Sequence, residues 1–463
     1  MAKERFVQLL GNDGVSDSAP DLERYGRDWS KEFPGQASLV LFPRTAEQVR
    51  QIVLECNNSK IPLVPSGGRS GLSGGATAIN GEVILSLERL NKILEIDLIA
   101  RTATCEAGVV TQKLQEAVRE KDLYFPIDFA STGSSQIGGN IATNAGGIHV
   151  VRYGNIRDWV LGLKVVTGSG DLLDLNGKLV KNQTGYDLRS LFIGSEGTLG
   201  VIVEATLKLS GKPSECIRAL CGVASLEAAL AIMAPLNGAF PTLSAFEYFD
   251  RDSLELVCVR HKLKRPLGEP YDHYVMIEVE EDAEDCRERL LAHLAATMES
   301  GDVLNALVAA GPGQGDEILR YRELIPETIS ADYFPHKNDV SVPVSMTAQF
   351  IAELKTLLTK EYPEFKTVVF GHLGDGNMHI NILKPDNIER QDFNEYCKKA
   401  DVRVFELVSR FGGSISAEHG VGLLKKPFLG MSRSASEIEA MRGIKRIFDP
   451  AGIMNPGKIF DLR

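Results

Sequence analysis

Leu39-Val-Leu-Phe42, Thr45-Ala-Glu-Gln48, Ile61-Pro-Leu-Val64 and Pro65-Ser-Gly-Gly-Arg-Ser-Gly-Leu-Ser-Gly-Gly75 follow one another between residues 39 and 75 and decide how this chain reads. The first is apolar enough for a buried strand. The second is a helix start of capping-box form, and Val49, Ile52, Val53 and Cys56 recur on one face of a helix to about Asn57. The third is a second strand, and the fourth a glycine-rich loop. Strand, helix, strand and loop make a nucleotide-handling unit in outline. The dinucleotide fingerprint is different, because its glycines lie between the first strand and the helix. No Gly-x-x-x-x-Gly-Lys-Ser/Thr run occurs either, which argues against an ATPase.

Two more glycine clusters follow. Ser131-Thr-Gly-Ser-Ser-Gln-Ile-Gly-Gly-Asn-Ile-Ala-Thr-Asn-Ala-Gly-Gly147 offers hydroxyls, amides and closely spaced backbone N–H groups suited to a pyrophosphate and a heterocycle rim. Gly194-Ser-Glu-Gly-Thr-Leu-Gly200 leads into the apolar strand Val201-Ile-Val203, and strand-like Leu163-Lys-Val-Val-Thr167 and Leu172-Leu-Asp-Leu175 lie between. One such cluster could be a plain loop between strands. Three together favour a large non-Rossmann nucleotide or flavin cofactor.

From about residue 211 the pattern changes. Amphipathic helices at 226–233 and 283–298 alternate with strand-like Tyr274-Val-Met-Ile-Glu278, an α+β arrangement of helices on an antiparallel sheet. Here Gly371-His-Leu-Gly-Asp-Gly-Asn-Met-His-Ile-Asn381 carries two of the eight histidines, between apolar runs and around turn residues 374–377. A hairpin over that turn sets 373 opposite 378 and His372 opposite His379, close enough on one face for both imidazoles to meet one ion. Ser414-Ile-Ser-Ala-Glu-His-Gly-Val-Gly422 adds Glu418 and His419. Core histidines satisfied by backbone remain the alternative, and the pair together with Glu-His favours a metal. Two histidines and one carboxylate leave open coordination positions, which suits catalysis.

At 463 residues the chain exceeds one core, so two or three domains are expected. The boundaries read as a lead-in over 1–35 packing on a cofactor domain 36–210, a substrate domain 211–413, and a segment 414–463 returning to the cofactor domain. A net charge of −11 argues against nucleic acid and anionic lipid. Seven scattered cysteines without a Cys-x-x-Cys pair fit a reducing compartment and no thiolate metal site. With no signal-like or membrane-spanning apolar run, a cytoplasmic protein is expected.

These motifs together resemble the FAD-linked flavoproteins of the vanillyl-alcohol-oxidase type, and within them the D-2-hydroxy acid dehydrogenases. The likeness runs from about residue 20 to the C-terminus, with 65–75, 134–147, 194–200, 371–381, 416–420 and 455–458 in the family's order. It implies an α+β fold: a two-subdomain FAD domain plus an antiparallel-sheet substrate domain with flanking helices. It also implies FAD held by Pro65, Ser66, Gly67, Gly68, Arg69, Ser70 and Gly71 around the diphosphate. Pro126, Ser131, Thr132, Gly133, Ser134, Gly138, Asn140 and Thr143 would lie along ribityl and ring, Glu196, Gly197 and Ile202 by the adenine, and Asn455 over the ring. No histidine occurs in 65–75, so the FAD is expected to be non-covalent, with His149 in a structural or solvent role.

The resemblance places zinc on His372, His379 and Glu418, and substrate on Arg322, Lys337, Asn381 and His419, with His419 as the catalytic base. A distal carboxylate, which lactate lacks, is what an arginine and a nearby lysine would hold. Pro326 departs from the family, which tends to carry Ser or Thr there, and Thr328 or Ser330 are the substitutes at hand. The expected activity is oxidation of D-2-hydroxyglutarate to 2-oxoglutarate, with electrons passing to an electron-transfer flavoprotein or similar carrier, by a homodimer. A D-lactate or glycolate type of dehydrogenase is the alternative, and a non-catalytic flavoprotein subunit the second.

Overall fold

The computed structural model describes residues 2–462. Two compact units form. One takes in the chain up to Gly147, Asn155–Lys212 and everything from Glu418 on, the other Ile148–Gly154 and Pro213–Ala417.

The first unit opens with two helices and a short strand. Helices Ala2–Leu10 and Ala19–Tyr25 flank the short strand β1 (Val15–Ser16), and Phe6 and Tyr25 are both buried in apolar clusters. β1 pairs antiparallel with β2 (Leu39–Leu41), and β3 (Leu63–Ser66) and β4 (Val83–Ser86) complete a sheet of order β1-β2-β4-β3. β2, β4 and β3 run parallel, as the intervening helix Ala46–Ser59 requires. Both faces of this sheet are covered, which is why its strands read as continuous apolar runs. Leu39, Leu41, Leu63, Val83 and Leu85 point to a core shared with Val49, Ile52, Val53 and Cys56. Val40, Phe42, Val64 and Ile84 point the other way, to Tyr25. Thr45 caps the helix by accepting from the Gln48 N–H, but the Gln48 side chain returns to the Arg44 N–H, one residue short of a capping box.

A second, five-stranded sheet follows. β5 (Ile93–Asp97) and β6 (Thr102–Glu106) precede the small strand β7 (Leu123–Tyr124). Then come β8 (Val160–Thr167), β9 (Leu172–Leu175) and β10 (Gly200–Lys208), in the order β5-β6-β10-β8-β9. All its neighbours are antiparallel. β11 (Ser210–Gly211) pairs with β7.

The second unit is built on one seven-stranded sheet. Its strands are β12 (Cys216–Val223), β13 (Leu243–Asp250), β14 (His273–Glu280), β15 (Val303–Val308), β16 (Pro335–Ser341), β17 (Lys366–His372) and β18 (Asn377–Leu383). Their order is β15-β12-β14-β13-β17-β18-β16, antiparallel throughout. Helices Arg251–His261 and Pro312–Asp332 supply Leu254, Val257, Ile318, Ile325 and Ile329 to a core with Phe249, Met276, Val368 and Phe370 from the sheet. The α+β class expected from the sequence is the one observed. Residues 148–154, from the midst of the stretch read as cofactor domain, pack with this unit. His149 contacts the Glu278 carboxylate at 3.1 Å, and Arg152 contacts Glu280 at 3.0 Å.

Candidate functional site: a polar row on the seven-stranded sheet and a glycine cradle

Side chains two apart on a strand share a face, and directly paired residues share it too. Phe249 on β13 pairs with Phe370 on β17, Phe370 with His379 on β18, and His379 with Asp339 on β16. The neighbouring positions on that face are Glu247, His372, Asn377 and Ser341 on one side, and Val368, Asn381 and Lys337 on the other. Four adjacent strands therefore direct two histidines, two carboxylates, Asn381 and Lys337 to one face, the face that also packs the helix carrying Arg322.

The hairpin register differs from the one read in the sequence. His372 pairs with Asn377 and His379 with Phe370, so the two histidines are diagonal and not directly opposite. The loop is Leu373-Gly-Asp-Gly376, with the N–H groups of Asp375 and Gly376 both donating to the His372 carbonyl and Asn377 N–H donating to Asp375 Oδ1. Because the slip is two residues, parity is kept and both imidazoles stay on one face. Their ring centroids lie 5.3 Å apart, nearly perpendicular.

Each ring is held by a buried carboxylate. His372 Nδ1 lies 2.8 Å from Glu247 Oε1, and His379 Nδ1 3.5 Å from Asp339 Oδ1. Asp339 Oδ1 also accepts from Asn377 Nδ2 at 2.7 Å. A proton on Nδ1 directed at a carboxylate leaves Nε2 as the basic, ligand-capable nitrogen, the usual state of a metal-binding histidine. Burial pushes Glu247 up, but the charges of His372 and Arg322 outweigh it and hold the carboxyl below its ordinary range. Asp375 in the turn is pushed up by burial to about 6, with the His372 charge opposing.

Arg322, read from the sequence as holding a substrate carboxylate, lies largely inside the protein. It is only 5% exposed, with Nε 2.8 Å from Glu247 Oε2 in an ion pair whose angle is not that of a linear hydrogen bond. Its guanidinium carbon lies 4.8 Å from the centroid of the Phe370 ring. One edge of the fork is thus committed inside the protein. Pro326 lies inside the same helix and has no N–H, so the Arg322 carbonyl lacks its α-helical donor. Of the two substitutes for the hydroxyl missing at 326, Thr328 is fully buried beside His261 Nε2 at 3.0 Å. Ser330 instead accepts from Lys337 Nζ at 2.9 Å. Ser330 therefore shares the Lys337 neighbourhood and Thr328 does not. Asn381 is 3% exposed, and its amide nitrogen has no partner among the described residues.

The sequence reading missed Glu247 and Asp339. Glu247 had a signal: it lies inside Leu-Ser-Ala-Phe-Glu-Tyr-Phe-Asp, a strand with every residue buried, and a carboxylate there needs a partner.

In the first unit the three glycine clusters converge. A Cβ on Gly68 would lie 2.2 Å from the Ser134 carbonyl oxygen, and one on Gly197 3.2 Å from Pro65. Asn455, at a φ of 41°, joins them by donating from Nδ2 to the carbonyls of Gly75 at 2.8 Å and Glu196 at 2.6 Å. Ser66 Oγ, Gln136 Oε1 and Asn455 Oδ1 are buried without hydrogen-bond partners among the described residues. Orphaned polar atoms where loops approach too closely for any Cβ fit a polar ligand better than a closed core. Gln136 was not among the residues read from the sequence.

Some of the expected cofactor contacts have other work. Asn140 Nδ2 donates to Thr111 Oγ1 at 2.7 Å, and Ile202 sits in the apolar core. Glu196 accepts the N–H groups of Val421 and Gly422 at 2.7 and 2.8 Å; burial raises its carboxyl, with those two bonds opposing. Ser131 closes a turn by accepting from the N–H groups of Ser134 and Ser135. Pro126, Thr132, Gly133, Gly138 and Thr143 belong to the same unit.

Glu418 and His419 stand where the chain leaves the second unit. Ser414 pairs with Ser341 on β16, Ala417 is that unit's last residue, and Gly420 turns the chain at a φ of 76°. Neighbours on an extended strand face opposite ways, so a bend is what lets adjacent side chains such as Glu418 and His419 turn to one side.

Residues 37–176 match the FAD binding domain family, and residues 212–459 the C-terminal domain of FAD linked oxidases. The chain belongs to the FAD-linked oxidases and has their vanillyl-alcohol-oxidase type of fold. It is 47% identical over 446 residues to the D-2-hydroxyglutarate dehydrogenase of Stutzerimonas stutzeri (strain A1501), covering 96% of each chain. A D-2-hydroxyglutarate dehydrogenase of Xanthomonas citri pv. viticola is 47% identical over 441 residues, covering 95% of this chain and 93% of its own. Among solved structures, p-cresol methylhydroxylase superposes with a TM-score of 0.80 at 18% identity, covering 100% of this chain and 96% of that one, which shows the fold alone.

Proposed function

We propose that this chain oxidises D-2-hydroxyglutarate to 2-oxoglutarate with non-covalent FAD as its electron acceptor. We further propose that a divalent metal, zinc by the donor set, is held by His372, His379 and Glu418. The observation that carries the reading is the polar row: two perpendicular imidazoles, each with Nδ1 turned to a buried carboxylate, beside Arg322, Lys337 and Asn381. The two relatives named above, similar over nearly the whole chain, support D-2-hydroxyglutarate as the substrate.

Bound FAD would supply a two-electron acceptor, and a bound zinc ion would supply positive charge that acidifies a hydroxyl. The chain's own residues do the rest. Lys337 and the outer N–H groups of Arg322 hold the distal carboxylate and so select a diacid over lactate. Asn381 donates to the substrate from its amide nitrogen, which has no partner among the described residues. His419 takes the hydroxyl proton as general base. The first unit serves as the cofactor domain and residues 213–417 as the substrate domain. Electrons then leave for an electron-transfer flavoprotein or a carrier like it, in a cytoplasmic homodimer. No helix among the described residues is long and apolar enough to cross a membrane.

The test is anaerobic bleaching of the enzyme-bound flavin by D-2-hydroxyglutarate, D-lactate and glycolate, before and after chelation. The diacid should bleach at the lowest concentration. Chelation should stop bleaching while FAD stays bound, and heat-denatured protein should release its flavin to the supernatant. If no 2-hydroxy acid bleaches the FAD-loaded, metal-replete enzyme, the reading fails. A preference for D-lactate would move it to the monocarboxylate branch.

A further inference from the structure

Glu247 sits at the middle of the seven-stranded sheet, 1% exposed, and faces His372 and Arg322 at once. Its Oε1 lies 2.8 Å from His372 Nδ1 and its Oε2 2.8 Å from Arg322 Nε. Arg322 also covers the Phe370 ring, whose centroid is 5.0 Å from that of His379. We propose that Glu247 is a positioning residue that couples the metal ligand His372 to the substrate-carboxylate residue Arg322, fixing the tautomer of one and the orientation of the other. The inference rests on the function proposed above.

The physical reason is donor arithmetic. His372 Nδ1–H donates to one oxygen and the Arg322 guanidinium is ion-paired with the other, and only an ionised carboxylate serves both. Glutamine offers one oxygen and one NH₂. With the oxygen toward His372, the NH₂ meets the Arg322 donor. With the NH₂ toward His372, Nδ1 must accept and the proton moves to Nε2, which removes the metal-binding lone pair. Either way one of the two residues loses its setting. Aspartate keeps both acceptors but stops one methylene short.

The experiment uses full-length, FAD-loaded protein carrying Glu247→Gln or Glu247→Asp. Zinc affinity is measured by competition with a chelator, and KM is compared between D-2-hydroxyglutarate and D-lactate. Glu247→Gln should bind zinc about 10–100-fold more weakly, the usual effect of losing a carboxylate behind a ligating histidine. The diacid should lose part of its KM advantage over lactate. Glu247→Asp should fall between wild type and glutamine on both measures. A residue that only supports the fold would lower the unfolding temperature and leave the zinc affinity and KM ratio of the folded variants at wild-type values; that result overturns the inference. If Glu247→Gln does not fold, the same two measurements on Glu247→Asp decide, wild-type values again overturning it. Wild-type protein that binds no stoichiometric metal, or whose flavin no 2-hydroxy acid reduces, would instead sink the underlying function.

Discussion

His419 is the residue on which the proposed chemistry turns, and replacing it separates a base from a ligand. His419→Asn should retain zinc, because His372, His379 and Glu418 are the proposed ligands, and should bind the diacid within a few-fold of wild type through Arg322 and Lys337. Flavin reduction should slow by about 10²–10⁴-fold, the range for losing a positioned base. Stopped-flow reduction and metal analysis on one preparation check both halves. Loss of zinc from the variant would make His419 a ligand and put the base elsewhere. Glu278 allows a different residue-scale test. Burial opposes its ionisation, but His149, Arg218 at 2.5 Å and Ser244 at 2.7 Å overcome this and hold it down to about 2, from an ordinary 4.5. A depressed carboxyl stabilises the fold fully above 4.5 and loses that contribution as pH falls toward 2. The gap in unfolding free energy between wild type and Glu278→Gln should therefore be widest near neutrality, of order 3 kcal/mol, and should narrow between pH 5 and pH 3. A constant gap over that range would mean that the Glu278 charge contributes nothing.

Among the elements, the hairpin of β17 and β18 positions both histidines, and its turn sets the register. Gly376 has a φ of 82°, and a Cβ there would lie 2.2 Å from the Val342 carbonyl oxygen. Gly376→Ala combines left-handed strain with a backbone clash and should cost about 1–3 kcal/mol. Denaturant unfolding should show that loss, and metal content should fall with it as His379 shifts against His372. Unchanged stability and zinc would show that the turn can be rebuilt without moving the strands. The sequence announced this element and its sidedness, because glycine and aspartate between apolar runs are turn chemistry. It did not reveal the register. The loop could close over more than one residue pair, and the choice fell to hydrogen bonds from Asp375, Gly376 and Asn377 N–H groups. The helix Pro312–Asp332 was not among those read from the sequence, and the inward aim of Arg322 depends on Glu247 from a strand far away in the chain.

For the molecule as a whole, the sequence by itself determined the class of fold and the inventory of chemistry. Continuous apolar runs with a connecting helix specify a parallel sheet covered on both faces, and glycine clusters after strands specify loops that approach one another closely. Those signals are local, and local chemistry is legible from adjacent residues. Glu247 behind His372, Asp339 beside His379, Glu196 under the N–H groups of Val421 and Gly422, and residues 148–154 clipped to the second unit by Glu278 and Glu280 were decided only by tertiary structure. Each is a buried charge whose partner lies far away in the chain. Burying a charge is unfavourable unless it is paired, so the fold must bring the partner. Which partner it brings depends on strand order and register, and no stretch of sequence contains both.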